Sequence, residues 1–167
     1  MDLFILRHGP AVNIGEAGVD TDAGRMLSPQ GARKTETAMR GLAELGCTPR
    51  QIFTSPLVRA VETARIAAGA LAPQIKVRET DALLPGTSPK ETLSWLASQP
   101  QRTTLVVGHM PHLAALAAFL LGESAGMDLV LKKAGVCRLV FDGPIRAGRA
   151  ALEWLLPPAV LRKIADR

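Results

Sequence analysis

An α/β fold is expected for this chain: a three-layer sandwich, with a mostly parallel sheet and helices on both faces. Three observations lead there. Short β-branched and apolar runs alternate with longer amphipathic ones along all 167 residues, which is the pattern of strand and helix units wound around a parallel sheet. Three of the longer runs sit behind the same dipeptide, Ser28-Pro29, Ser55-Pro56 and Ser88-Pro89, which combines an N-cap hydroxyl with a proline suited to the first helical turn. The composition, 47% hydrophobic and 21% charged, is that of one compact domain over residues 1–167 and excludes disordered, collagen-like and coiled-coil chains.

The elements follow in order. Leu3 to Leu6 is a buried strand, and a Gly- and Asp-containing loop runs from about Gly9 to Leu27. Ser28 caps the first helix, whose apolar face carries Ala38, Met39, Leu42 and Leu45, and Gly46 stops it. Gln51 to Thr54 is a short strand. Ser55-Pro56 then starts a helix with Leu57, Val61, Ala64, Ala68 and Leu71 along one stripe. Ser88-Pro89-Lys90-Glu91 reads as a capping box opening the helix of Trp95 and Leu96. Thr103 to Val107 has the composition of a central strand, and Gly108-His109-Met110-Pro111 turns it into a helix bearing Leu113, Leu116, Ala117 and Leu120. Val136 to Phe141 alternates, with Cys137, Leu139 and Phe141 on one face, and Ala150 to Leu155 forms a last strand beyond Asp142-Gly143-Pro144.

Several function classes drop out early. No apolar run reaches the roughly 18–20 residues of a membrane helix, and Arg7 interrupts the N-terminal apolar stretch before it can serve as a signal sequence. A soluble, cytoplasmic protein with no membrane partner is expected. Cys47 and Cys137 lie far apart with no ligand spacing and are read as packing residues. A net charge of +5 favours anionic partners. Yet the basic residues are scattered, there is no Tyr and aromatics are only 4%, so a base-stacking surface for nucleic acid is not expected. Lys132-Lys133 and Arg162-Lys163 read as solvated faces.

Ligands of open α/β sheets bind beyond the carboxyl ends of the strands. There this chain places Arg7-His8-Gly9, Ser55-Pro56-Leu57-Val58-Arg59 and Gly108-His109. Arginine offers a planar fork that matches phosphate oxygens, and histidine can act as nucleophile, proton shuttle or donor to an oxyanion. Together these groups describe a phosphoryl pocket.

Leu6-Arg7-His8-Gly9, Ser55 to Ala60 followed by Glu62-Thr63-Ala64, and Val107-Gly108-His109, in this order and spacing, resemble the histidine phosphatase superfamily. Leu27-Ser28-Pro29-Gln30-Gly31 and Trp154-Leu155-Leu156-Pro157-Pro158 with Leu161 are similar to its small SixA-type branch of protein phosphohistidine phosphatases. The resemblance implies that His8 is a nucleophile that becomes phosphorylated, with Gly9 leaving room for the phosphate. It also implies that Arg7, Arg59 and His109 clamp the phosphoryl oxygens, with no metal or other cofactor. By the same resemblance Asp22 is the best match for a general acid, with Asp20, Glu16 and Asp81 as alternatives. A phosphohistidine substrate lowers the demand on that acid, because imidazole leaves more readily than an alkoxide.

Other readings stand beside these. Arg59 can pair with Glu62 on its own helix, and Asp22 can be a plain turn former. His112 is expected at the rim, touching substrate; a three-histidine metal site with His8 and His109 lacks ligand spacing. The expected function is a metal-independent phosphatase acting on phosphohistidine in a protein. The alternatives are a small-molecule phosphomonoesterase of the same superfamily, a non-catalytic phosphate-binding module and a metal-dependent hydrolase. Strand order and oligomeric state do not follow from the sequence.

Overall fold

The computed structural model describes residues 1–122 and 129–166. Its centre is a six-stranded sheet in the order β3-β2-β4-β1-β5-β6, built from β1 (Asp2–Arg7), β2 (Gln51–Thr54), β3 (Val77–Glu79), β4 (Thr104–Gly108), β5 (Val136–Val140) and β6 (Ala151–Leu156). The first four strands are parallel neighbours. β5 runs antiparallel to β1, and β6 antiparallel to β5.

Alternation along the strands sends side chains to two cores. Leu3, Ile5, Phe53 and Val106 face α3 (Pro89–Ser98) and α4 (His112–Gly122), where Leu96, Leu113, Leu116 and Leu120 cover them. Phe4, Leu6, Ile52, Leu105 and Val107 face the other way. They meet Met39 and Leu42 of α1 (Pro29–Glu44), Ala60 and Ala64 of α2 (Val58–Leu71), and Leu161 of α5 (Pro158–Ala165). The three-layer α/β sandwich is therefore present. Cys47 and Cys137 belong to opposite cores, and burial pushes both thiols up to about 12, so they are inert packing groups.

The helix starts behave unequally. Ser28 accepts from the Gly31 amide, and Ser88 and Glu91 form the full capping box. α2 begins only at Val58, with Leu57 as N-cap and no side-chain cap. Leu45, expected on the buried face of α1, is the C-cap and is 42% exposed. Helix α5 is not foreseen by the sequence reading. It packs on α1 where Gly41 lies, since a Cβ there would collide with the Leu161 carbonyl.

Among the described residues, no helix is long and apolar enough to cross a membrane.

Candidate active site

Strand register fixes the site. β1, β2 and β4 end at one edge, with Leu6 beside Val107 and Thr54 beside Val107. Pairing continues one residue further, as His8 donates its amide to the Gly108 carbonyl at 3.0 Å and Ser55 donates to Val107 at 3.0 Å. His8, Ser55 and His109 are thereby brought to one spot, and the His8 and His109 ring centroids lie 5.1 Å apart.

His8 is buried, and its Nδ1–H donates to the Gly9 carbonyl at 2.7 Å. That bond assigns the proton to Nδ1 and leaves the Nε2 lone pair for chemistry. Burial lowers its pKa to about 4; the Gly9 bond opposes this and the charges of Arg59, Arg7 and Lys133 reinforce it. His8 is thus neutral at physiological pH. His109, 2% exposed, places Nε2 2.8 Å from the Ser55 hydroxyl. Ser55 Oγ also takes the Leu57 amide at 3.4 Å. The other ring nitrogen of His109, Nδ1, is buried with no partner. Burial first, then the fields of His8 and Arg59, lower the His109 pKa to about 3.

The arginines are anchored from behind. Arg7 Nη1 donates to the Leu131 carbonyl at 2.9 Å. Arg59, 5% exposed, gives one terminal nitrogen to the Asp22 carbonyl oxygen at 2.6 Å and the other to the Asp22 carboxylate at 2.9 Å. Arg59 therefore does not pair with Glu62. Instead Glu62 accepts the Leu27 amide at 2.6 Å, and Thr63 accepts the Gly9 amide at 2.9 Å while donating to Arg59. One face of α2 thus fastens both ends of the loop from Gly9 to Leu27. The Nε atoms of Arg7 and Arg59 remain buried without partners.

Two expectations need correction. The missing side chain of Gly9 accommodates Thr35 of α1, whose hydroxyl a Cβ would strike, and the Gly9 amide is taken by Thr63. Gly9 orients His8; its backbone donor is not free for a phosphate. His112 is not at a rim. It is 3% exposed, and its Nε2–H donates to Thr92 Oγ1 at 2.9 Å, Thr92 in turn donating to Ala82 at 2.8 Å. The first turn of α4 faces α3, so His112 joins those two helices behind His109.

Asp22 does reach the site. Partial desolvation raises its pKa, but hydrogen bonds from Arg25 at 3.1 Å and from Arg59 outweigh this and hold the carboxyl below its usual range. Its side chain is 54% exposed and anionic. Of the alternatives, Glu16 closes a turn by accepting from the Asn13 amide at 2.8 Å, Asp20 is an exposed loop residue, and Asp81 lies in a 3-10 turn after β3. No group of three or more His, Cys, Asp or Glu side chains among the described residues is placed to hold a metal.

The sequence reading quoted Ser55, Glu62 and Thr63 within its motifs but did not foresee that Ser55 bonds His109, that Glu62 takes the Leu27 amide or that Thr63 takes the Gly9 amide. Ser55 was hidden by its resemblance to a helix cap, and the contacts of the other two span segments distant in the chain.

Residues 3–84 match the model of the histidine phosphatase superfamily, branch 1, and an uncharacterized protein of Picosynechococcus is 33% identical over 94% of this chain and 100% of its own length. The chain belongs to the histidine phosphatase superfamily. The protein histidine phosphatase SixA complexed with tungstate superposes with a TM-score of 0.81 at 22% identity, covering 96% of this chain and 99% of that one. A phosphoserine phosphatase from Entamoeba histolytica, in complex with 3-phosphoglyceric acid, gives 0.64 at 16% identity, covering 92% and 95%. At these identities the likeness is one of fold. Membership of the histidine phosphatase superfamily makes the chain a phosphatase in class.

Proposed function

We propose that this chain removes phosphate from phosphohistidine on a protein, through a covalent phospho-His8 intermediate and without a metal. The observation that carries the reading is the Nδ1–H bond from His8 to Gly9, which leaves a neutral imidazole with Nε2 open.

In the first step His8 Nε2 attacks phosphorus, and the bond from phosphorus to the substrate imidazole nitrogen breaks. The electron pair stays on the departing nitrogen, and the substrate ring, protonated on its other nitrogen, leaves as neutral imidazole. Arg7, Arg59 and the Nδ1–H of His109 bind the phosphoryl oxygens, supplying the charge stabilisation that a loose phosphoryl-transfer transition state needs. In the second step water attacks, the bond from phosphorus to Nε2 breaks, and its electron pair returns to His8. The water proton passes to the Asp22 carboxylate or to solvent.

Asp22 supports the choice of substrate. A carboxylate held by two arginines is a poor proton donor to an alkoxide leaving group, whereas an imidazole departs with less help. The fold shared with SixA supports it as well.

The test is phosphate release from a phosphohistidine-bearing protein in excess chelator. Wild type should release phosphate and His8→Ala should not. Faster turnover of a small phosphate ester than of the phosphoprotein would replace the substrate assignment, and loss of activity with chelator would overturn the metal-free route.

A further inference from the structure

β5 is antiparallel to β1, so its first residues lie at the same edge as the last residues of β1, with Leu6 opposite Val136. The turn that leads into β5 is sewn to the nucleophile's strand. Arg7 donates its amide to Gly135 at 3.1 Å and its side chain to Leu131 at 2.9 Å. The Ala134 amide is shared between the carbonyls of Arg7 at 3.0 Å and His8 at 3.2 Å. Leu131 and Ala134 are buried anchors, 3% and 1% exposed, and Ala134 has φ of 60°, a left-handed conformation that reverses the chain at a residue for which it is uncommon. The residue before this reversal is Lys133.

We infer that Lys133 is a substrate-contacting residue of the active site: its ammonium binds the phosphoryl oxygens from the β5 side, opposite the groups delivered by β2 and β4. This rests on the phosphatase reading given above. The backbone of residue 134 is bonded to that of His8, which puts Lys133 one residue from the nucleophile's own carbonyl. Its side chain is exposed; partial desolvation first, then the charges of Arg7, Arg25 and Arg59, lower its pKa, and it is one of the charges acting on His8. Among the described residues it makes no ion pair, while Asp22 is shared by Arg25 and Arg59. An ammonium that shares this edge with like-charged guanidinium groups is favoured by an anion that all of them can reach, and a phosphoryl dianion is such an anion.

The experiment is calorimetric titration of inorganic phosphate into the full chain, comparing wild type with Lys133→Gln, Lys133→Arg, Lys132→Gln and Arg59→Ala. Lys133→Gln should weaken phosphate about tenfold, the loss of one hydrogen bond to a charged group. Lys133→Arg should retain most of the affinity, and Lys132→Gln, on the equally exposed preceding residue, should bind like wild type. In turnover, Lys133→Gln should raise KM more than it lowers kcat. Equal effects of the Lys132 and Lys133 changes, or no effect of Lys133→Gln while Arg59→Ala loses binding, would overturn the role of Lys133 alone. Wild type that does not bind phosphate, or Arg59→Ala that binds it unchanged, would overturn the site reading as well.

Discussion

The two histidines of the site look alike in sequence and are held by single hydrogen bonds at opposite ring nitrogens. His8 gives its Nδ1 proton to its neighbour's carbonyl and presents the Nε2 lone pair; His109 is held at Nε2 by the Ser55 hydroxyl and presents Nδ1. Ser55→Ala tests this directly. Without the hydroxyl, the His109 ring loses the bond that holds it in place, and kcat is expected to fall by roughly tenfold, about 1.4 kcal/mol of transition-state stabilisation, while the stability change stays near 1 kcal/mol for one buried hydrogen bond. Ser55→Thr should restore most of the rate, and an unchanged kcat in Ser55→Ala would remove Ser55 as a positioning residue. The strand-end motifs made Arg7, His8, Arg59 and His109 readable from sequence. The bonds that orient them were not, because Gly9, Ser55 and Thr63 act through geometry between segments that are distant in the chain.

The helices show which sequence signals survive folding. Ser28 and Ser88 cap as their spacing suggests, but Ser55 does not, since the same dipeptide serves a buried histidine. Local propensity cannot register that competition. Helix α5 escaped notice because it is short, at 8 residues, so that its amphipathic pattern spans only about two turns. Its contact with α1 depends on Gly41, so Gly41→Ala is expected to push the helices apart despite alanine's higher helix propensity. A loss of about 1–3 kcal/mol, the usual cost of overpacking, should appear in urea denaturation. A stabilised Gly41→Ala protein would contradict the close crossing of α1 and α5.

In the molecule as a whole, β1, β2 and β4 were legible as short apolar runs, whereas β3, three residues of sequence Val-Arg-Glu at the sheet edge, was not. The antiparallel addition of β5 and β6 was visible only as two late strands. Their direction matters for the site, since it brings the turn before β5 to the backbone of Arg7 and His8, bonded through Ala134 and Gly135. Burying neutral histidines also sets the acid behaviour of the fold. His8 and His109 have pKa values lowered to about 4 and about 3, so as pH falls below about 6.5 the unfolded chain gains protons that the folded one refuses. Stability should therefore be fully present above pH 6.5 and decline as pH drops towards 4, with a shallower decline in His8→Asn; denaturation midpoints at a series of pH values would show it, and a flat profile over that range would argue against neutral buried histidines. The decisive measurement is rapid quenching of the wild-type enzyme during turnover of a phosphohistidine protein, followed by location of the trapped phosphoryl group on the chain. An acid-labile phosphoryl group on Nε2 of His8 is the expected result. Phosphorylation of Nδ1 or of another residue, or single-turnover release with no covalent species at all, would contradict the nucleophile assigned here.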